Sequence, residues 1–297
     1  MDEKTVHVPV LLKETVAALS PKAGGIYVDC TLGGGGHAEA LLQEAMVRLV
    51  GIDADPQALL RTAPRLKKWE KHITLLASNF RHIKQVLKDA KIEHVDGILF
   101  DLGLSSDELE QSGRGFSFMR DEPLHMGFDP SQRLTAADLI EHLSAPELAG
   151  ILRTYSEERY AMRIANAIVA RRKTRPITTT FDLRDTILSA VPSVYAKGKI
   201  NPATKTFQAL RMAANDELDA LREGLKGAWD ALLPQGRLAV ISFHSLEDRI
   251  VKNFMRDLVK EGKASLLTKK PIGPGNEEIA QNPRARSAKL RVAIKIS

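Results

Sequence analysis

Residues 25–37 read Gly-Ile-Tyr-Val-Asp-Cys-Thr-Leu-Gly-Gly-Gly-Gly-His, an apolar run followed by four consecutive glycines. The apolar run predicts a strand. The glycines predict a tight turn into a helix, because glycine has no Cβ and tolerates positive φ. Such a turn lets the backbone approach a nucleotide-like cofactor at the N-terminus of the helix. We therefore expect Gly33, Gly35, Gly36 and His37 to bind a cofactor.

An acidic residue follows the next apolar run at the spacing of a ribose contact. Asp53 ends the run 48–53, about twenty residues beyond Gly33, where a carboxylate reaches ribose hydroxyls in nucleotide-binding folds. The turn departs from the dinucleotide pattern G-x-G-x-x-G, because Ala38 stands where the third glycine would be. This departure favours a cofactor without a pyrophosphate. The alternative for Asp53 is a helix cap before Pro56.

Strand and helix patterns alternate through the first hundred residues. Short apolar or β-branched runs predict strands at 25–31, 48–53, 73–77 and 95–102, with helices between them near 37–45, 56–69 and 80–90. This alternation predicts a parallel, doubly wound α/β sheet. Later patterns predict strands at 237–242 and 289–296, and a helix that begins at Ser245 with Asp248 in the capping-box position.

A long insertion separates the fourth and fifth predicted strands. Residues 103–236 lie between them, whereas a crossover needs only about a dozen residues. Candidate N-caps such as Thr135, followed by apolar residues at three- and four-residue spacing, predict helices in this stretch. We expect a cofactor-binding domain formed by 1–107 and 210–297, and a helical, substrate-recognition insertion at 108–209.

The composition narrows the class of protein. The chain has 297 residues, of which 43% are hydrophobic, and its single cysteine, Cys30, can form no internal disulfide. No run of about eighteen apolar residues predicts a membrane span, and the acidic start does not suit a signal peptide. A globular protein of the cytoplasm is expected. The formal net charge of +6, with basic residues concentrated in the second half, favours a nucleic-acid partner.

Further polar residues follow the fourth predicted strand. Asp101 ends it and opens the sequence Asp-Leu-Gly-Leu-Ser-Ser to Ser106. Ligands of an open α/β sheet bind beyond the carboxyl ends of its strands, so Asp101, Asp53 and the glycine turn should face one crevice. Two carboxylates there suit a cationic cofactor. The alternative for Asp101 is a loop cap.

Several aromatic and histidine residues can be interpreted either as ligand contacts or as structural residues. Phe80, after the third predicted strand, offers a ring face to adenine or serves only the core. Residues 114–118, Arg-Gly-Phe-Ser-Phe, combine a guanidinium with rings, which suits an unstacked base; an aromatic loop anchor is the alternative. His244, Glu247 and Asp248 have metal-ligand chemistry, but we predict no metal because a second histidine of suitable spacing is missing.

Seven motifs in order resemble the ribosomal RNA small subunit methyltransferase H family, also called RsmH or MraW. They read HVPVLL (7–12), DCTLGGGGH (29–37), DLGLSS (101–106), RGFSF (114–118), PATKTFQALR (202–211), ISFHSLEDR (241–249) and NPRARS (282–287). The resemblance implies a class I S-adenosylmethionine-dependent methyltransferase, a Rossmann-like sheet with an α-helical insertion domain between strands 4 and 5. It also implies methylation of the exocyclic N4 amine of a cytidine in the decoding region of 16S rRNA, within the small ribosomal subunit. Another RNA cytidine is the alternative target.

The resemblance also assigns roles to residues. By motif position, cofactor contacts fall on Gly35, Gly36, His37, Asp53, Phe80, Asp101 and Glu108. The cytosine amine is a poor nucleophile, so we predict that Asp101, or an oxygen of Ser105 or Ser106, accepts its hydrogen bonds and makes it more electron-rich. For the RNA, Arg114 and Phe116 are predicted to hold an extruded cytidine, and Arg284 and Arg286 to contact phosphates.

This chain departs from the family pattern at three places. Residue 108 is Glu where Gln is common, and Asn201 stands where His is usual. Residues 124–128 read Leu-His-Met-Gly-Phe where Leu-Asp-Met-Arg-Met is usual. An acid and an arginine are lost together there, which leaves no unpaired charge and predicts a compensated variant.

Two other function classes stay open at this point. A nicotinamide-dependent oxidoreductase would keep the sheet, but the missing third glycine disfavours it. A non-catalytic RNA-binding protein would keep the basic segments, but it would not need an acid-lined glycine crevice. The oligomeric state is not predicted, and a homodimer is one alternative.

Overall fold

The computed structural model describes residues 9–110, 112–198 and 201–296, without the side chains of Ser106 and Glu110. The described chain separates into two compact units. The first unit takes the residues up to Ser105 together with those from Leu218 onward, and the second unit takes Ser106–Glu217. The assignment of these units to cofactor and to substrate stays a prediction.

The strands of the described chain are β1 (Ile26–Asp29), β2 (Arg48–Asp53), β3 (Ile73–Ala77), β4 (Val95–Asp101), β5 (Leu232–Ser242), β6 (Ala264–Leu266) and β7 (Lys289–Lys295). They form one sheet in the first unit, in the order β3-β2-β1-β4-β5-β7-β6. β1 to β5 pair in parallel, and β7 is antiparallel to β5 and β6. The predicted doubly wound, largely parallel α/β sheet is confirmed. The short β6 was missing from the prediction.

The helices of the described chain are α1 (Leu12–Leu19), α2 (Gly36–Glu44), α3 (Pro56–Leu66), α4 (Ile83–Asp89), α5 (Ser106–Glu110), α6 (Ala136–His142), α7 (Ala145–Ser156), α8 (Ala161–Thr174), α9 (Thr180–Ala190), α10 (Ser193–Ala196), α11 (Ala203–Ala214), α12 (Glu217–Ala231), α13 (Ser245–Lys260) and α14 (Asn276–Gln281). Short 3-10 turns occupy Lys67–Trp69, Phe80–His82 and Pro283–Ser287. α5 to α11 build the second unit, which is helical as expected. Among the described residues, no helix has the length and apolarity needed to cross a membrane.

The core of the first unit follows the alternation of side chains along its strands. Val28 and Phe100 belong to one apolar cluster, whereas Tyr27 and Leu99 belong to another. Successive strand residues point to opposite faces, so the sheet is packed on both sides. Cys30 is 2% exposed within the first of these clusters, and burial raises the pKa of its thiol well above the ordinary value. Burial on both faces leaves the strand ends as the place where polar side chains can meet.

The N-terminus of α13 corrects one sequence-based prediction. The helix begins at Ser245 as expected, but the capping box is formed by His244 and Glu247. The N–H of Glu247 donates to Nδ1 of His244 at 3.4 Å. The carboxylate of Asp248 instead accepts from Nε of Arg291 on β7 at 2.7 Å. The prediction was wrong because serine is the commoner cap, although an imidazole nitrogen can also accept.

Candidate functional site

Asp53 fastens the glycine turn to the end of β2. The N–H of Gly33 donates to Oδ2 of Asp53 at 2.7 Å, and the N–H of Asp55 donates to Oδ1 at 2.8 Å. The alternative that Asp53 caps α3 is wrong, because Asp55 is the cap and accepts from the N–H of Gln57 at 2.9 Å. Each oxygen of Asp53 retains acceptor capacity for a further donor, such as a ribose hydroxyl.

The turn itself needs glycine at two positions. Gly33 has a φ of +47° and Gly35 a φ of +72°, a region that other residues adopt only with strain. A Cβ on Gly33 would lie 3.7 Å from Cβ of Ser105, its nearest neighbour. The backbone at Gly33 therefore has room on one side, and Ser105 lies beside it.

The start of α2 packs against the first described residues of the chain. A Cβ on Gly36 would overlap the ring of Pro9, so a larger residue does not fit there. His37 is buried, and its Nε2 lies 3.1 Å from the carbonyl oxygen of Val10. Nδ1 of the same ring lies 3.5 Å from Oδ2 of Asp101. His37 thus connects the glycine turn to the last residue of β4.

Asp101 holds a buried carboxyl oxygen at the end of β4. Its N–H donates to Oγ1 of Thr31 at 2.6 Å, which fixes the strand end. Its Oδ1 is buried and has no hydrogen-bond partner among the described residues. Burial raises the pKa of Asp101 well above its ordinary value, and the carboxylates of Asp29 and Glu247 act in the same direction. A cationic or hydrogen-bond-donating ligand at Oδ1 would relieve this cost.

Asp29, the last residue of β1, is a carboxyl that the sequence reasoning did not single out. It is 1% exposed, and its Oδ1 accepts from the N–H of Thr31 at 3.2 Å. Burial raises its pKa to about 7; the hydrogen bond from Thr31 lowers the pKa, and the charge of Asp53 raises it by a smaller amount. Burial also raises the pKa of Asp53. The available signal was an acid at the end of a buried strand, the same signal that identified Asp53 and Asp101.

The structure does not test the roles predicted for Phe80 and Ser106. Phe80 packs edge-to-face against Phe100, with ring centroids 5.4 Å apart, and lies at the margin of the core. This packing supports the core interpretation, and its contact to adenine stays a prediction. The side chain of Ser106 lies outside the described part of the chain, so its catalytic role and that of Ser105 also stay predictions.

The first unit fits a cationic nucleoside cofactor. Three strand-end carboxyls, from Asp29, Asp53 and Asp101, have pKa values raised by burial. Such carboxyls gain by interacting with a positive charge. Asp53 adds acceptors beside the glycine turn. Among the described residues, no group of three or more His, Cys, Asp or Glu side chains is placed to hold a metal ion.

In the second unit, Arg114 is bound to its own loop. Its Nη1 donates to the carbonyl oxygens of Gly127 at 3.0 Å and Phe128 at 2.5 Å. Phe116 is 6% exposed and stacks on Phe128, with ring centroids 5.8 Å apart and an interplanar angle of 24°. These contacts support the alternative of an aromatic loop anchor. The RNA contacts of Arg114 and Phe116 stay predictions.

The variant loop 124–128 is internally matched. Nδ1 of His125 accepts from the N–H of Gly127 at 3.0 Å. A Cβ on Gly127 would approach Cε1 of His125 and Cδ of Gln132 at 2.6 Å, so an arginine could not replace this glycine without rearrangement. Burial lowers the pKa of His125, and Arg114 adds to that effect. The histidine and the glycine are consistent with a compensated pair.

The other two departures from the family pattern lie in or just before helices. Glu108 lies on α5, where its carbonyl oxygen accepts from the hydroxyl of Ser112 at 2.6 Å. Oδ1 of Asn201 accepts from the N–H of Ala203 at 2.9 Å, at the start of α11. Asn201 therefore has a local structural role. The cofactor contact of Glu108 stays a prediction.

The predicted phosphate-binding arginines lie near the C-terminus of the described chain. Arg284 and Arg286 are exposed on the 3-10 turn Pro283–Ser287, on either side of the fully buried Ala285. Oδ1 of Asn282 accepts from the N–H of Arg284 at 3.3 Å and begins the turn. The arrangement presents two guanidinium groups from a fixed backbone, which suits contacts with phosphates.

Comparison with known proteins adds three findings. The model of the MraW methylase family matches residues 4–296. Ribosomal RNA small subunit methyltransferase H of Carboxydothermus hydrogenoformans is 47% identical, with 98% of each chain covered, and that of Heliobacterium mobile is 45% identical, with 98% of this chain and 99% of its own covered. A solved structure of an rRNA methylase from Streptococcus thermophilus is similar with a TM-score of 0.46 and 11% identity, covering 96% of this chain and 94% of that one.

Proposed function

This chain belongs to the MraW methylase family, and on that premise we propose that it methylates the exocyclic N4 amine of a cytidine in the decoding region of 16S rRNA. The membership confirms the predicted methyltransferase class and the S-adenosylmethionine cofactor. The names of the two relatives support small-subunit ribosomal RNA as the substrate. At the level of chemistry, the observation that carries the proposal is the buried Oδ1 of Asp101 at the end of β4.

S-adenosylmethionine supplies an electrophilic methyl group on a sulfonium. Asp53 is oriented by two backbone N–H groups and would accept hydrogen bonds from the ribose hydroxyls. The turn at Gly33, Gly35 and Gly36 brings the backbone close, and His37 fixes the start of α2. The buried carboxyls favour a cation over a neutral molecule.

Asp101 is proposed to act on the target amine. The lone pair of that amine is delocalised into the cytosine ring, so a hydrogen bond from its N–H to a carboxylate makes the nitrogen more electron-rich. Preorganised polar groups of this kind are worth about 2–4 kcal/mol of barrier. The raised pKa of Asp101 also makes it a stronger base toward the proton that the amine loses on methylation.

Each unit is proposed to contribute its own contacts to the RNA. Arg284 and Arg286 in the first unit would contact phosphates. The helical second unit would recognise the target, with Arg114 and Phe116 as its candidate residues, and Glu108 would contact the cofactor. A base inside a helix cannot reach a buried methyl donor, so the cytidine must leave the stack, at a cost of a few kcal/mol. The proposal places the protein in the cytoplasm, where small ribosomal subunits are found.

Mass spectrometry of rRNA nucleosides tests the proposal. Cells lacking this gene should lose one N4-methylated cytidine of 16S rRNA, and the intact gene should restore it. A gene with Asp101→Ala should not restore it, although the protein accumulates. Loss of a methyl group from another RNA cytidine would favour the alternative target. Unchanged modification of all RNA would refute the proposal.

A further inference from the structure

Leu11 is held in an unusual backbone conformation by a residue from the other end of the chain. It has a φ of +53°, and its side chain is fully buried. Its N–H donates to Oε1 of Glu278 on α14 at 2.7 Å. A non-glycine residue in the left-handed region persists only where its surroundings fix it. Glu278 supplies one of the contacts that do so.

The segment Pro9–Leu11 lies between Glu278 and the cofactor turn. Pro9 packs on Gly36, and the carbonyl oxygen of Val10 lies 3.1 Å from Nε2 of His37. The carboxylate of Glu278 binds the same segment one residue further along. Loss of this contact should therefore loosen the segment that covers the start of α2, including the His37 ring.

The residue Glu278 is also joined to the basic turn that carries Arg284 and Arg286. Its carbonyl oxygen accepts from the N–H of Asn282 at 2.7 Å, and Oδ1 of Asn282 accepts from the N–H of Arg284 at 3.3 Å. Ala285, between the two arginines, is fully buried. A short series of backbone contacts thus runs from the arginines to Glu278.

We propose that Glu278 is a positioning residue that couples the arginine turn to the cofactor site. Through Leu11 it holds the segment Pro9–Leu11 against Gly36 and His37. Through Asn282 its position depends on how well ordered the turn at Arg284 is. The coupling rests on the proposed function, because it takes RNA as the ligand of the arginines. RNA bound at the turn then raises the affinity for the cofactor, and the cofactor raises the affinity for RNA by the same factor.

Calorimetry of the full chain with S-adenosylhomocysteine tests the positioning role without RNA. Glu278→Ala should raise Kd about tenfold, since a hydrogen bond to a charged acceptor is lost. Glu278→Gln keeps an acceptor oxygen and should stay within about threefold of wild type. Glu277→Ala, the exposed neighbour on α14, is the matched control and should bind as wild type does. Wild-type affinity in a folded Glu278→Ala protein would overturn the proposal.

A spectroscopic readout separates positioning from general loss of structure. With ¹⁵N-labelled histidine, the Nε2–H signal of His37 should be protected from exchange in wild type and lose protection in Glu278→Ala. If that variant does not fold, Glu278→Asp keeps the charge but shortens the side chain, and should show the same loss. An unchanged His37 signal in the folded variants would contradict the proposal.

The coupling is measured with small ribosomal subunits as the RNA probe. The Kd for S-adenosylhomocysteine should fall at least about fivefold when subunits are added to wild type, and should not change for Glu278→Ala. An equal fall for both proteins would overturn the coupling. This failure is distinct from failure of the proposed function, which the nucleoside analysis of the deletion strain detects independently.

Discussion

The strand ends of the first unit and the loop 114–128 of the second unit differ in how their polar groups are satisfied. At the strand ends, Asp101 has a buried oxygen without a hydrogen-bond partner among the described residues, and Asp29 has a pKa raised to about 7. In the loop, the guanidinium of Arg114 binds two carbonyl oxygens, and Phe116 stacks on Phe128.

This difference separates carboxyls that still have an interaction to gain from loop residues that the fold already satisfies. A buried carboxyl with a raised pKa lowers stability, and a protein gains from it only if a ligand supplies the missing interaction. A stacked ring and a bound guanidinium stabilise the loop without any ligand. Sequence motifs suggested function in both regions, and only the contacts distinguish the two.

The largest effect is expected from Phe116→Ala. Because the ring is buried and stacked, its removal should lower the free energy of unfolding by about 3–5 kcal/mol. Chemical denaturation followed by circular dichroism measures this change. A double-mutant cycle with Phe128→Ala should show coupling of about 0.5–1.5 kcal/mol. Wild-type stability of Phe116→Ala would contradict the anchor role, and slow methylation by such a protein would assign the ring to the RNA alone.

Asp53→Ala should weaken binding of the cofactor. The carboxylate would make charge-assisted hydrogen bonds to the ribose, so the affinity for S-adenosylmethionine should fall by about 1.5–3 kcal/mol, measured by calorimetry. Asp55→Ala is the matched control from the same loop. It should lose about 0.5–2 kcal/mol of stability as a helix cap and leave the affinity almost unchanged. If both variants bind equally well, Asp53 is only a structural residue.

A smaller, pH-dependent effect is expected from Asp29→Asn. The pKa of Asp29 is about 7 in the folded protein against an ordinary value of 3.8. Between these values the folded state holds the proton more tightly than the unfolded state, so wild-type stability falls as pH rises from about 4 to 7. Asparagine does not titrate, so the variant should gain stability relative to wild type as the pH rises from about 4 to 8. A difference that does not change with pH would contradict the raised pKa.

The sequence was sufficient for six of the seven described strands and for Asp53 and Asp101 at the strand ends, but not for β6 or for Asp29. Apolar runs ending in Asp53 and Asp101 gave the strands, and the glycines gave the turn, because local periodicity and chain direction determine these features. Contacts between distant segments could not be read in this way. The sequence around Leu11 does not indicate its hydrogen bond to Glu278. Nor does the sequence indicate that Arg114 binds carbonyl oxygens of its own loop or that Phe116 stacks on Phe128. The cap of α13 was mistaken because two adjacent residues offered acceptors.

The central claim is that the strand-end carboxyl of Asp101 acts in methyl transfer, and single-turnover kinetics with small ribosomal subunits test it most directly. Asp101→Asn keeps the shape of the side chain but removes its charge and replaces one acceptor oxygen with an NH2 donor. Its rate should fall by the equivalent of about 2–4 kcal/mol, while binding of RNA stays near wild type. The wild-type rate should also decline as pH falls and Asp101, with its raised pKa, takes up a proton. A variant that keeps more than about a third of the wild-type rate would place less than about 1 kcal/mol of barrier at Asp101 and contradict the account.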